Sequence, residues 1–189
     1  MNKAVFLDRD GVINKNVRRL DSPEKFVLID GAAKAISHLK KKGYLVIVVT
    51  NQPEVAKGFF SLEDVESIHK RMKELLAKEN AHVDAVYTCP HHPEKGFEGE
   101  IEELKIECDC RKPKPGMLLK AIKEYNIDPA KSWMIGDSKT DIEAGKKASV
   151  QTVFLTSGGG SGSKQEERYE DLKPDYEKKD LEEAINTLF

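Results

Sequence analysis

The residues Asp8-Arg9-Asp10-Gly11 put two carboxylates two positions apart at the end of the apolar run Ala4–Leu7. In a strand, positions i and i+2 share a face, so Asp8 and Asp10 would lean toward one spot. That spot is a strand's C-terminal end, where open α/β sheets bind ligands. Converging carboxylates repel one another unless a cation or a shared proton holds them. Such a pair can supply a nucleophile, a metal ligand and an acid/base. Alone, it reads equally well as a strand ending in a polar turn.

Three further clusters follow in order, each at or just after an expected strand end or helix start. Thr50-Asn51-Gln52 brings a hydroxyl and two amides. Arg111-Lys112-Pro113-Lys114-Pro115-Gly116 brings cations to a helix N-terminus, a natural anion site. Gly136-Asp137 ends another apolar run with an acid, and Asp141 follows. Asp141 reads equally as a helix N-terminal acid favoured by the macrodipole. Together these residues would bind a divalent hard cation through oxygen and a phosphoryl group through Thr50 and Lys112. They also offer a carboxylate nucleophile able to form an aspartyl-phosphate.

A second set lies between the Thr50 and Asp137 clusters. Cys89-Pro90-His91-His92 and Cys108-Asp109-Cys110 hold all 3 cysteines of the chain. Cys-x-His with Cys-x-Cys fits a closed tetrahedral zinc site of Cys89, His91, Cys108 and Cys110, which is structural rather than catalytic. Segment 94–107 between them is acidic, with only Phe97, Ile101, Leu104 and Ile106 as apolar groups. Metal would supply the folding energy that burial cannot. The opposing reading is three small buried hydrophobes and a loop histidine. His92 is read as a loop residue.

These side chains need a frame. Strands are expected over 4–8, 44–50, 85–88, 132–136 and 151–155. Amphipathic helices are expected over 32–42, 62–77, 116–125, 140–147 and 180–188, with a capping box of Ser61 and Asp64 opening the second. Alternating units of this kind imply a mainly parallel sheet covered by helices on both faces, an α/β class. Residues 1–189 read as a single domain. Segment 89–115 is a long connection without clear elements, and 157–163 (SGGGSGS) is a glycine-rich loop on the rim of Asp8.

With 31 basic and 33 acidic residues the net charge is -2, so no general attraction to nucleic acid or an anionic membrane is expected. No apolar run approaches the roughly 20 residues of a membrane span. No signal peptide is read at the start, so a cytoplasmic location is expected. An odd cysteine count argues against a disulfide framework.

Asp8-Arg9-Asp10-Gly11, Thr50-Asn51-Gln52, Arg111-Lys112-Pro113 and Gly136-Asp137-Ser138 resemble the four ordered motifs of the haloacid dehalogenase (HAD) superfamily phosphatases. The resemblance implies a Rossmann-like HAD-type parallel sheet flanked by helices, without a large cap domain. It implies Asp8 as nucleophile and Mg²⁺ ligand. Asp10 would protonate the leaving alcohol, activate water and bind Mg²⁺ through its carbonyl. Thr50 and Lys112 would hold the phosphoryl group, and Asp137 would complete the Mg²⁺ site.

The Cys89-Pro90-His91-His92 and Cys108 to Met117 segments are similar to the zinc-containing subgroup of D-glycero-D-manno-heptose 1,7-bisphosphate phosphatases and to the related histidinol-phosphate phosphatases. That similarity implies Zn²⁺ as a second, structural metal. It implies a small phosphorylated sugar as partner, most simply the heptose bisphosphate hydrolysed at its 7-phosphate, with the protein acting as a monomer. Substrate would be held by loops carrying Asn16, Arg18, Arg19, Asn51, Gln52 and Arg111. Four features depart from the subgroup's pattern: Pro53, Ser138 where lysine is common, a longer zinc loop, and the SGGGSGS segment. A histidinol-phosphate phosphatase and a non-catalytic zinc-stabilised binding protein are the competing readings.

Overall fold

Four consecutive apolar residues, all fully buried, form the first strand, β1 (Ala4–Leu7). A computed structural model describes residues 1–17, 19–158 and 173–189. Arg18 and most of the SGGGSGS segment lie outside the described residues. β1 is followed by helix α1 (Ala32–Lys41), then β2 (Leu45–Asn51), a short helix α2 (Pro53–Ala56) and α3 (Leu62–Lys78). The order continues with β3 (Ala85–Cys89), α4 (Gly116–Glu124), β4 (Trp133–Gly136), α5 (Lys139–Lys147), β5 (Gln151–Leu155), β6 (Tyr176–Lys178) and α6 (Leu181–Leu188).

The six strands form one sheet in the order β3-β2-β1-β4-β5-β6, with every pairing parallel. The first two functional strands are therefore neighbours although α1 separates them in sequence. Period-two alternation sends successive residues to opposite faces. Val5, Leu7, Val46 and Val48 join the core under α1, α3 and α6, with Ile36, Leu39, Ile68, Met72, Leu76 and Ile185. Ala4, Phe6, Ile47, Val49 and Met134 join the other core, under α4 and α5, with Met117, Leu118, Ala121 and Ala144. Strands buried on both faces read as continuous apolar runs, which is why the sequence shows no alternation there.

α3 begins where expected. Ser61 N–H donates to Asp64 Oδ2 at 2.8 Å and Asp64 N–H donates back to Ser61 Oγ at 3.1 Å, closing the capping box. Two expectations shift. β1 stops at Leu7 rather than Asp8, because the chain turns at once: the Arg9 carbonyl accepts from Ile13 N–H and Asn14 N–H, and Gly11 takes φ 81°. β6, an edge strand of three residues, was not expected. Among the described residues, the connections β1–α1 and β3–α4 carry only single 3₁₀ turns (Pro23–Lys25 and Glu102–Leu104), so neither holds a cap.

Candidate active site and metal centre

Parallel pairing aligns the chemically distinctive residues at one rim. Leu7 is in register with Val48 and with Ile135. Asp8 follows one residue past that line, Thr50 two past it on β2, and Asp137 two past it after β4. The central contact is made by Lys112, which reaches this rim from the long connection and is 2 % exposed. Its Nζ lies 3.0 Å from Asp8 Oδ1, 2.6 Å from Asp141 Oδ1 and 2.8 Å from the Val49 carbonyl. Burial works against the charge on this amine, but the Asp141 and Asp8 carboxylates outweigh it and keep it protonated.

Asp141 is thus both of the things its position allowed. As the third helical residue of α5, it accepts on Oδ2 from Ser138 N–H (3.1 Å) and Ser138 Oγ (2.6 Å). Through Oδ1 it anchors Lys112. Gly136 carries no β-carbon because one there would collide with the Asp141 carboxylate.

Asp8 and Asp10 part company. Asp8 accepts from Lys112 and from Arg9 N–H (2.7 Å). Burial is the largest influence on its carboxyl, pushing its pKa up to about 7 against the pull of Lys112, with Asp141 and Asp10 adding to the rise. Asp10 belongs to a different network. Arg9 Nη2 donates to its Oδ2 at 2.8 Å, Gln52 Nε2 to the same oxygen at 2.9 Å, and Asn14 Nδ2 to Oδ1 at 2.9 Å. Burial would raise Asp10, but the Arg9 charge and these hydrogen bonds together hold it below the usual carboxylate range.

Asp137 is the cation-seeking member. Burial first, then the Asp8 and Asp141 charges, push its pKa up to about 8. Among the described residues its buried Oδ2 has no hydrogen-bond partner, and a β-carbon at Gly11 would collide with that carboxylate. Asp8, Asp137 and Asp141 offer oxygens within 4.8 Å of one another. Both Asp141 oxygens already accept hydrogen bonds, so Asp8 and Asp137 are the side chains that best fit a hard divalent ion, for which carboxylate oxygen is the preferred donor.

Thr50 is 1 % exposed, and its Oγ1 accepts from Gln52 Nε2 at 2.8 Å. Of the residues expected to touch substrate, Gln52 is buried and its amide joins Asp10 to Thr50. Asn51 grips the backbone of Lys112 twice: Nδ2 donates to the Lys112 carbonyl (3.0 Å) and Oδ1 accepts its N–H (3.1 Å). Arg111 Nη1 donates to the His91 carbonyl at 3.3 Å. Arg19 is exposed and stacks over the Phe59 ring at 3.9 Å, and Asn16 is exposed. Arg9, Asn14 and His69 were not singled out from sequence, yet they hold Asp10 directly or through Arg9.

The second centre forms beside the first, since Asn51 is in register with Cys89 and Gln52 N–H donates to the Cys89 carbonyl at 2.8 Å. Cys110 Sγ lies 3.0 Å from Cys89 Sγ and 3.3 Å from Cys108 Sγ, and Cys89 lies 3.6 Å from Cys108. His91 Nδ1 sits 3.3 Å from Cys110 Sγ and 3.7 Å from Cys89 Sγ. No two of the three are joined as a disulfide. Four soft donors clustered this way suit a tetrahedral zinc ion with Zn–S near 2.3 Å. Hydrogen bonds from Cys89, ahead of those from Cys108 and His91, pull the Cys110 thiol down to about 5, toward the thiolate a metal requires.

Comparison with known proteins agrees with this geometry. Residues 109–184 match the family model for HAD-hydrolase-like proteins. The chain is 45 % identical over 160 residues to the D-glycero-beta-D-manno-heptose-1,7-bisphosphate 7-phosphatase of Pasteurella multocida, covering 84 % of each chain. It is 44 % identical over 154 residues to the corresponding alpha-anomer phosphatase of Burkholderia mallei, covering 82 % of this chain and 79 % of that one. Among solved structures, the D,D-heptose 1,7-bisphosphate phosphatase from B. bronchiseptica, complexed with magnesium and phosphate, superposes with TM-score 0.84 at 30 % identity, over 98 % of this chain and 97 % of that one. The chain belongs to the HAD-like hydrolases, in the branch that contains the heptose 1,7-bisphosphate phosphatases.

Proposed function

We propose that this protein is a Mg²⁺-dependent phosphomonoesterase that removes the 7-phosphate of D-glycero-D-manno-heptose 1,7-bisphosphate, with a structural zinc beside the site. The observation that carries the reading is the buried Lys112 held between Asp8 and Asp141, next to an Asp137 oxygen that no group among the described residues satisfies. Such a site has an attacking carboxylate, a fixed cation and vacant oxygen ligation in one place. The relatives named as heptose bisphosphate phosphatases support the substrate.

Asp8 supplies the attacking oxygen, forming a bond to phosphorus as the bond to the sugar oxygen breaks. Lys112 neutralises phosphoryl charge, favours the ionised form of Asp8 against its burial and aims it; Thr50 offers its hydroxyl to a phosphoryl oxygen. Asp10 is a carboxylate in this network, so it must take up a proton as substrate binds; it then gives that proton to the departing sugar oxygen and takes one back from the water that splits the aspartyl-phosphate. A divalent ion at Asp8 and Asp137, joined by the Asp10 carbonyl, would lower the charge of the phosphoryl group and orient it. Cys89, His91, Cys108 and Cys110 would hold zinc and thereby order the loop that delivers Arg111. The rest of the sugar phosphate would fall to Asn16, Arg19 and Arg111, with Arg18, which lies outside the described residues, expected from its place in sequence, and with Asn51 and Gln52 serving through the Lys112 backbone and the Thr50–Asp10 pair that they hold. The same reading takes residues 1–189 as one domain working as a cytoplasmic monomer.

The test is turnover of heptose 1,7-bisphosphate and histidinol phosphate side by side with Mg²⁺. The expected result is a kcat/KM about 100-fold or more in favour of the bisphosphate, since sites that bond a distal group reject analogues lacking it. Equal or better turnover of histidinol phosphate would overturn the substrate, and no turnover of any phosphate ester would overturn the enzyme.

A further inference from the structure

His69 stands where the pattern of α3 calls for an apolar residue. It is 3 % exposed on the stripe of Val65, Ile68, Met72 and Leu76. Its Nε2 lies 3.1 Å from Arg9 Nη1. A guanidinium only donates, so Nε2 must accept, which fixes the ring as neutral with its proton on Nδ1. Burial first, then the Arg9 charge, pull its pKa down to about 3, in keeping with that state.

Arg9 is itself fully buried. Among the described residues its Nε has no partner, and the guanidinium is held there at its two terminal nitrogens. One meets His69 and the other meets Asp10 Oδ2 at 2.8 Å. Without an acceptor on α3, the guanidinium would be tethered only through Asp10, and one buried donor would be unsatisfied. It would turn to find another partner and leave the Asp10 carboxylate set by Gln52 and Asn14 alone, free to shift toward them.

We infer that His69 is a positioning residue for the proton transfer: a neutral acceptor on α3 that fixes Arg9, which in turn fixes the Asp10 carboxyl against the leaving oxygen. The inference rests on the proposed role of Asp10 as the acid. A misplaced acid slows departure of a poor leaving group, whose oxygen needs the proton as its bond to phosphorus breaks. It hardly slows a good one, whose oxygen leaves as a stable anion.

The experiment compares kcat/KM, which reports transfer to Asp8, on heptose 1,7-bisphosphate and on p-nitrophenyl phosphate. His69→Met is expected to lose about 10- to 100-fold on the sugar phosphate, the scale of a displaced acid, and under about 3-fold on the aryl ester. His69→Gln keeps an acceptor and is expected to recover most of the loss. His69→Asn, whose amide is too short to reach Arg9, replaces the Met variant if that one does not fold. Equal losses on both substrates, or no recovery with Gln, would overturn the inference. Asp10→Asn is run in parallel. If it too shows no dependence on the leaving group, the assignment of the acid has failed. If it does and the His69 variants do not, only the inference has.

Discussion

The two centres of this molecule lie side by side and are built in opposite ways. The carboxylate–lysine site takes Asp8, Thr50 and Asp137 from the ends of β1, β2 and β4, whose register sets their spacing to within one residue, and receives Lys112 from the long connection. The cysteine–histidine cluster takes one ligand from the end of β3 and the other three from a connection whose only regular element is a 3₁₀ turn. A sheet rim is positioned by burial on both faces. A polar loop lacks that resource and must be closed by bonds to something else. The carboxylates of the rim therefore sit on the rigid frame, and the connection delivers Lys112 to them.

Four experiments bear on that contrast. The largest effect is expected from Asp8→Asn, which should lower turnover by about 10⁴-fold or more while circular dichroism and thermal unfolding show an intact fold. Appreciable residual turnover would mean that the frame does not deliver the nucleophile. Next is Lys112→Met. It strips the counter-charge from two buried carboxylates, a change that typically costs about 3–5 kcal/mol, so both stability and activity should fall; an unchanged unfolding temperature would deny the ion triad its structural weight.

The loop should be gentler on catalysis. Cys108→Ser is expected to lower zinc from about one per chain and to lower Tm, while kcat falls less than about 10-fold. Full loss of activity would show that the frame cannot hold Lys112 without the loop. Zinc-free protein of wild-type stability would instead refute the metal.

The smallest effect is a pH dependence. Folded pKa values of about 7 for Asp8 and about 8 for Asp137 lie above the ordinary carboxylate value, so without a cation the folded state binds more protons than the unfolded one. These groups therefore cost the metal-free protein stability as pH rises through that window. Mg²⁺ favours their charged forms, so the Tm gain from Mg²⁺ should widen from about pH 5 to pH 8. A gain that stays flat across that range would count against Asp8 and Asp137 as ligands.

Much of the frame was legible because buried parallel strands announce themselves as apolar runs. Five of the strands and the longer helices came from that signal and from the Ser61–Asp64 cap. β6 did not, since Tyr176-Glu177-Lys178 is a polar edge segment that pairs on one side only. The rim's charged residues were legible from type and order. Their partnerships were not: Asp141 meets Lys112 across 29 positions, and His69 meets Arg9 across 60. The signal for His69 was present as a polar residue interrupting an apolar stripe, but only its neighbour in space gives it meaning. Gln52 is expected to face substrate, and its amide joins Thr50 to Asp10, a link that the order of residues in sequence does not announce.

Asn51 binds both the N–H and the carbonyl of Lys112, as a neighbouring strand would. One side chain at the end of β2 thereby resets the chain's position after a long excursion. Whatever length or sequence the segment between Cys89 and Cys108 takes, Lys112 re-enters at the same place.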